Sequence, residues 1–125
     1  MEMKDLWKSV IDADRAAVVI CDLHHTIVYM NPAADRNYAK QGGKALVGQC
    51  IFDCHNERAV EMIQKVVDWF ASDKDHNLVY TFHNEKQNKG VYMVALRNGA
   101  GELIGYYEKH EYRDRETMKR YDMPI

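Results

Sequence analysis

Residues 16–35 constrain the fold of this chain more than any other segment. The segment holds two apolar runs of strand length, residues 18–21 and 27–30, which are rich in β-branched side chains and bounded by polar residues. Runs of this kind are typical of paired strands. Between them lie His24 and His25, and histidine is among the side chains that tolerate a positive φ in a tight turn. The segment therefore predicts a two-stranded hairpin.

A helix start follows the second strand directly. Asn31 can accept a hydrogen bond from an unpaired backbone amide of the first helical turn, and Pro32 has no amide that would stay unpaired. This pair of residues therefore predicts a helix that begins abruptly at Pro32.

This pattern of strand, turn and helix resembles the opening of a PAS domain. The positions that carry the resemblance are Asp22, Ile27, Asn31, Ala33 and Ala34. Residues 101–105, Gly-Glu-Leu-Ile-Gly, match the PAS pattern at the last hairpin, so the resemblance covers roughly residues 16–112. It implies a sensory or signal-transduction module and does not name the signal.

The remainder of the chain predicts one long helix and three further strands. Apolar residues recur at helical spacing after Asn56, at Ala59, Ile63, Val66, Val67 and Phe70. Strands are expected over residues 77–83, 90–97 and 102–112, joined by hairpins. The predicted fold class is α+β: a PAS-like five-stranded antiparallel sheet with helices packed on one face and an N-terminal amphipathic helix.

A chain of 125 residues is long enough for one domain. We divide it into the N-terminal amphipathic helix (residues 1–15), a PAS-like sensor domain (residues 16–112) and a short charged C-terminal tail (residues 113–125). The apolar stripe of the helix needs cover, which either the outer face of its own sheet or a second subunit can supply. PAS domains commonly dimerise through such a helix, so the resemblance implies a homodimer. The candidate interface residues are Leu6, Trp7, Val10 and Ile11.

Charge and hydropathy exclude several classes of partner. The formal net charge is -2 with both signs interspersed, so we expect neither nucleic acid nor a membrane as a partner. No apolar run is long enough to cross a bilayer, and the first residues lack the apolar core of a signal peptide, which predicts a soluble cytoplasmic protein. The 3 cysteines of such a protein are expected to be reduced.

Cys50, Cys54 and His55 form the densest group of reactive side chains. One interpretation is redox or metal chemistry, because the two thiols share a face if the segment is helical. A structural zinc site needs four ligands, however, and the chain contains no second cysteine pair. We therefore favour thiols that pack as small hydrophobes, predict no metal site, and keep a redox- or metal-responsive sensor as the alternative.

The PAS resemblance also raises the question of a cofactor. Light-sensing PAS domains carry a reactive cysteine after a glycine, but Cys50 follows Gly48 one position too early, and the neighbouring Arg and Gln of that pattern are missing. Haem-binding PAS domains use a histidine of the long helix, where this chain offers only His55 at the helix start; His76 and His83 are the other candidates. A small organic ligand remains open, and noncovalent haem or flavin is less favoured.

In a PAS fold, a ligand pocket lies between the long helix and the sheet. The candidate lining residues are Asn31, Phe52, Cys54, His55, Ile63, Val66, Tyr80, Phe82 and Met93. A filled core is the alternative, and it would make the chain a ligand-free structural interaction module. His110, which follows Glu108 and Lys109 on the last strand, is expected on a charged outer face.

The sequence does not support catalysis. No nucleophile, base and orienting residue can be assembled, and the acidic residues are dispersed on helix surfaces, so we expect no enzyme. A third hypothesis, an enzyme of similar shape that depends on His55 or Cys54, is the weakest. The charged tail contains no effector, so we expect the signal to pass to a protein on another chain.

Overall fold

The computed structural model describes residues 2–122. Its helices and strands, in chain order, are α1 (Met3–Ala13), β1 (Ala17–Asp22), β2 (Ile27–Met30), α2 (Pro32–Asn37), α3 (Glu57–Ser72), β3 (Leu78–Asn84), β4 (Lys89–Arg97) and β5 (Leu103–Tyr112). Between α2 and α3 lie three short 3-10 helices, Ala39–Gln41, Gly43–Leu46 and Ile51–Cys54. The predicted N-terminal helix segment and C-terminal tail extend to residue 1 and to residues 123–125, which lie outside the described residues.

The five strands form one antiparallel sheet in the order β2-β1-β5-β4-β3. β5 is central, and its residue Glu108 lies between Val19 of β1 and Met93 of β4. Helices α2 and α3 pack on the face of the sheet that carries these side chains, which we call the inner face. The predicted fold class is confirmed, and each predicted strand agrees with the structure to within one residue at either end.

Helix α3 covers the inner face with its apolar stripe. The side chain of Asn56 caps the helix by accepting a hydrogen bond from the N–H of Ala59 at 2.8 Å. Ile63, Val66 and Phe70 are then buried in the core, as their helical spacing predicts. Burial of each such side chain stabilises the fold by about 1.5–3 kcal/mol.

The turn between β1 and β2 has the predicted conformation. Asp22 Oδ1 accepts hydrogen bonds from the backbone N–H groups of His24 and Thr26, at 2.9 and 3.0 Å. His25 has a φ of 65°, and its Nδ1 lies 2.7 Å from the hydroxyl oxygen of Tyr106 on the inner face of β5. The side chain of His25, the residue with the left-handed backbone conformation, therefore fastens the turn to the sheet.

Asn31 joins four parts of the chain through one buried side chain. Its Oδ1 accepts hydrogen bonds from the N–H groups of Val18 in β1 and Ala34 in α2, both at 2.9 Å. Its Nδ2 donates to the carbonyl oxygens of Ile11 in α1, at 3.0 Å, and of Ala16 before β1, at 2.9 Å. The side chain is therefore the predicted cap of α2, and it also fixes the end of α1 to the hairpin.

Helix α1 does not cover the outer face of its own sheet. None of its residues in the described part of the chain is buried, and Trp7 and Val10 are 64% and 71% exposed. Leu6 is also exposed, and Ile11 is half-buried. Within residues 2–122, the structure does not show the stripe packed on its own sheet, because the apolar side chains of α1 are exposed or half-buried.

Residues 113–122 contain no helix or strand and fold back on the domain. The guanidinium of Arg113 lies 5.4 Å above the ring of Tyr92. Asp114 accepts a hydrogen bond from Asn88 Nδ2 at 2.9 Å. An exposed ion pair of 2.6 Å joins Glu116 to Arg15, in the link between α1 and β1. The tail therefore lies beside the junction that Asn31 organises.

Replacement of Asn31 by alanine is expected to lower the free energy of unfolding by about 3 kcal/mol, because a helix cap is lost and buried amide and carbonyl groups lose their partners. Urea denaturation measures the change. The matched control is Asn56→Ala, which removes an exposed cap of α3 alone and is expected to cost about 1 kcal/mol. Equal losses for the two variants would show that Asn31 is only a helix cap.

Candidate functional site

Glu108 is a buried carboxylate at the centre of the inner face. Its side chain is only 6% exposed. Its Oε1 accepts hydrogen bonds from the hydroxyl of Tyr38, at the end of α2, and from Nε2 of His110, both at 2.6 Å. The expectation that His110 lies on a charged outer face is therefore wrong. In the alternation along β5, Glu108 and His110 point inward and Lys109 between them does not.

His55 faces the second oxygen of the same carboxylate. Its Nε2 lies 3.6 Å from Glu108 Oε2, and its Nδ1 lies 2.9 Å from the carbonyl oxygen of Ile51. Because a carbonyl oxygen can only accept, Nδ1 carries a hydrogen, and the carboxylate favours a hydrogen on Nε2 as well. The arrangement is that of an imidazolium paired with a carboxylate.

The pKa values of the pair agree with this assignment. Burial by itself lowers the pKa of His55, but its contacts with Cys54, Glu108 and the Ile51 carbonyl together raise it to about 10. Burial by itself raises the pKa of Glu108, but hydrogen bonds from His110 and His55 hold it well below its usual range. Each partner is therefore charged at neutral pH.

His110 completes the group with one unsatisfied atom. Its Nε2 donates to Glu108 at 2.6 Å, and its Nδ1 is buried with no hydrogen-bond partner within residues 2–122. A neutral ring with the hydrogen on Nε2 leaves only an acceptor unpaired, whereas a protonated ring would leave a buried donor unpaired. We therefore assign the neutral tautomer to His110.

A lysine also lies on the inner face. Lys89 of β4 is 3% exposed, and its ammonium donates to the side-chain oxygen of Asn37 in α2 at 2.7 Å. Burial lowers the pKa of Lys89, while the charge of Glu108 opposes that shift. The sheet thus presents charged groups to both α2 and the segment before α3.

The part of the interior between β1, β2 and the segment before α3 is filled by side chains. The space bounded by Val19, Ile27, Met30, Tyr38, Leu46, Ile51 and Cys54 has no room for a water molecule. Of the predicted lining residues, Ile63, Val66 and Met93 lie in this core, and Phe52 stacks on His25 with 4.4 Å between ring centres. Ile63 and Met93 share the interior with the charged group, whereas Val66 also lines an open groove between α3 and Val79 of β3.

Two predicted lining residues do not face the interior. Tyr80 and Phe82 are 57% and 58% exposed on the outer face of the sheet, where the ring of Tyr80 stacks on that of Tyr92. A bulge in β3 between them changes the register with β4, but both side chains stay outside. Asn31 is buried, but its side-chain oxygen and nitrogen already bind five backbone groups, which leaves no capacity for a ligand.

The cysteine cluster is spread over two environments. Cys54 Sγ donates to the Ile51 carbonyl at 3.2 Å and lies 3.3 Å from Nδ1 of His55. Cys50 is half-buried and forms an isolated backbone bridge with Thr26. Within residues 2–122, no group of three or more His, Cys, Asp or Glu side chains is arranged to hold a metal ion.

In the same part of the chain, no helix is both long and apolar enough to span a bilayer.

The sequence pattern alone does not indicate a role for Tyr38 or Lys89, or the inward orientation of Glu108 and His110. The available signal was the alternation of Tyr106, Glu108 and His110, which places all three on one face of a strand. Without the strand pairing, charged residues at two of these positions favoured the outer face. Only the register of β5 with β1 and β4 shows that this face is the inner one.

The chain is similar to known proteins in its structure, whereas its sequence gives no match. No model of a known protein family matches the chain, and no characterised protein matches its sequence. Among solved structures, a PAS domain from Colwellia psychrerythraea aligns with a TM-score of 0.67 at 14% identity, covering 89% of this chain and 97% of that domain. The PAS domain of Bordetella pertussis BvgS aligns with a TM-score of 0.63 at 15% identity, covering 90% and 87% of the two chains.

A third similar structure is the Aer2 receptor from Vibrio cholerae, described as a dual PAS-heme oxygen sensor. It aligns with a TM-score of 0.54 at 21% identity, covering 79% of this chain and 95% of that one. The shared features are the five-stranded antiparallel sheet and the helical layer on its inner face. Together with the hairpin and helix start at residues 16–35, they show that this chain is a PAS-fold domain.

Proposed function

We propose that this PAS-fold domain is a sensory module that acts as a homodimer and passes its signal to a protein on another chain. The observation that carries the proposal is the apolar stripe of α1, which is exposed although the helix is held in a fixed place. A helix with an uncovered apolar face is stable in water when another surface covers that face.

The C-terminal half of α1 is fastened by several polar contacts. Asp12 accepts hydrogen bonds from the hydroxyl of Tyr29 in β2 and from the ammonium of Lys8, the latter at 2.7 Å. The Lys8 ammonium also lies 5.5 Å above the ring of Tyr29, and Asn31 binds the carbonyl of Ile11. These contacts hold the helix in one orientation relative to the sheet and leave Leu6, Trp7 and Val10 facing solvent.

The outer face of the sheet offers a complementary apolar surface. Leu78, Tyr80 and Phe82 are exposed there. A helix of 11 residues is about 16 Å long, so two such helices alone would bury little area. We therefore propose that α1 of each protomer packs on α1 and on the outer sheet face of its partner.

Replacement of Val10 by glutamate is expected to weaken dimerisation at least tenfold, because a buried valine contributes about 1.5–3 kcal/mol and a buried carboxylate is unpaired. Size-exclusion chromatography with light scattering over a dilution series measures the dissociation constant. Val47→Glu is the matched control, since Val47 is an exposed valine in the loop after Gly43–Leu46. A monomeric wild-type protein, or equal dimerisation of the two variants, would contradict the proposed dimer.

The filled space around Tyr38 and Cys54 favours a sensor that works without a resident organic cofactor there. The similarity to the haem-containing receptor concerns the fold, and in this chain Tyr38, His55 and His110 converge on Glu108 instead of lining open space. A ligand would have to displace these groups or the apolar side chains around them. We propose that the interior responds to a change in its own charged group.

Native mass spectrometry of freshly purified protein is therefore expected to show a dimer with twice the mass of the bare chain. An absorption spectrum of the same sample is expected to show no band in the visible region. Additional bound mass that is lost on unfolding, or a haem or flavin spectrum, would contradict the cofactor-free interior and support the small-ligand alternative.

A further inference from the structure

The segment of residues 51–55 closes the interior above Glu108. It comprises the 3-10 helix Ile51–Cys54 and His55, which connects that helix to Asn56 and α3. The N–H of Ile51 donates to the His25 carbonyl at 2.8 Å, and the Phe52 ring stacks on the His25 ring. The segment contacts the charged group through the His55–Glu108 pair and through the rings of His55 and Tyr38, whose centres are 6.5 Å apart. We call residues 51–55 the interior gate.

In the closed gate, the His55 ring holds a second proton, which an exposed histidine loses near neutral pH. The Ile51 carbonyl needs a hydrogen on Nδ1 of His55, and the Glu108 carboxylate attracts a hydrogen on Nε2. An exposed histidine has an ordinary pKa of 6.5 and carries only one ring hydrogen above it. Closed and open gates therefore differ by one bound proton above that pH.

We infer that the interior gate is proton-linked: closing it binds one proton at His55, and opening it releases that proton to solvent. For its biological meaning the inference rests on the proposed sensory function, because it names the regulation of the same interior. No bond other than the N–H bond of His55 forms or breaks in this step.

The sign of the linkage follows from the pKa of His55 in the two states. The pKa is raised to about 10 in the closed state, so the stabilisation of the closed gate is complete below pH 6.5 and is lost as pH rises toward 10. Between these limits, the equilibrium constant for opening rises tenfold per pH unit. Glu108 acts in the opposite direction, because its lowered pKa makes acid favour opening below its ordinary pKa of 4.5.

Other titratable groups face the pair from every neighbouring element. They are Tyr38 at the end of α2, Cys54 in the gate, Cys21 in β1, His25 in the β1–β2 turn, Lys89 in β4, and Tyr106 and His110 in β5.

For Cys21, Tyr38, Tyr106, His25 and Lys89, the directions of the pKa shifts leave a window in which His55 can be observed. Burial raises the pKa of the Cys21 thiol to about 12 and raises those of Tyr38 and Tyr106, so all three stay protonated at neutral pH. Burial lowers the pKa of His25, which confines its effect to the region below pH 6.5. Burial also lowers the pKa of Lys89, so this group acts with the opposite sign, below its ordinary pKa of 10.5. We therefore choose pH 6.5 to about 8.5 as the range in which to measure the effect of His55 on the gate.

Amide hydrogen exchange of the full chain, corrected for the intrinsic pH dependence of exchange, tests the gate. The amides of Ile51, Asp53 and His55 are hydrogen-bonded in the closed state, and their protection factors are expected to fall tenfold per pH unit from pH 6.5 to about 8.5. Amides of β4 and β5 provide the internal reference. Protection of the gate that does not change with pH would overturn the inference.

Two variants separate His55 from other histidines. The double variant H55Q/E108Q replaces the ion pair by two neutral amides of similar size, and the pH dependence at the gate is expected to vanish. His24→Gln alters an exposed histidine of the turn and is expected to keep the full tenfold slope. A slope that persists in the double variant would assign the proton to another group and overturn the inference.

A nitrogen NMR titration of the wild-type imidazoles tests the inference without any variant. The His55 ring is expected to keep hydrogens on both nitrogens throughout the chosen pH range, and titration of His55 near pH 6.5 would overturn the inference. The dimer experiment fails or succeeds independently: a pH-dependent gate in a monomeric protein would leave the proton linkage intact and remove the proposed homodimeric function.

Discussion

The buried carboxylate of Glu108 is the constraint to which the inner layer of this domain conforms. Removing a charged carboxylate from water costs several kcal/mol unless partners surround it. Tyr38, His110 and His55 supply those partners from the end of α2, from β5 itself and from the segment before α3. The placement of α2 and of the start of α3 is thereby tied to one side chain in the middle of the sheet.

A second polar side chain, Asn31, performs the corresponding task at the edge of the domain. Its hydrogen bonds join α1 to the link before β1, to β1 and to the first turn of α2. The exposed stripe of α1 is consequently presented in a defined position relative to the core. In this account, the interior carries the charged group that can respond, and the surface carries the helix through which copies of the chain would associate.

Local signals predicted the architecture correctly. The apolar runs on either side of His24 and His25, the cap formed by Asn31 before Pro32, and the helical spacing after Asn56 all depend on residues close in sequence, and each is confirmed. The orientation of β5 could not be derived in this way, because Glu108 and His110 become interior only through the pairing of β5 with β1 and β4. For the same reason Tyr80 and Phe82 were placed in the pocket although they lie on the outer face.

The proposed gate is closed by a charged His55 and an ionised Glu108. Neutron diffraction from a deuterium-exchanged crystal grown near neutral pH tests it most directly, because it locates the hydrogen positions themselves. Deuterium is expected on both ring nitrogens of His55, on Nε2 alone of His110, and on neither oxygen of Glu108. A singly protonated His55 beside a protonated Glu108 would contradict the proposed gate.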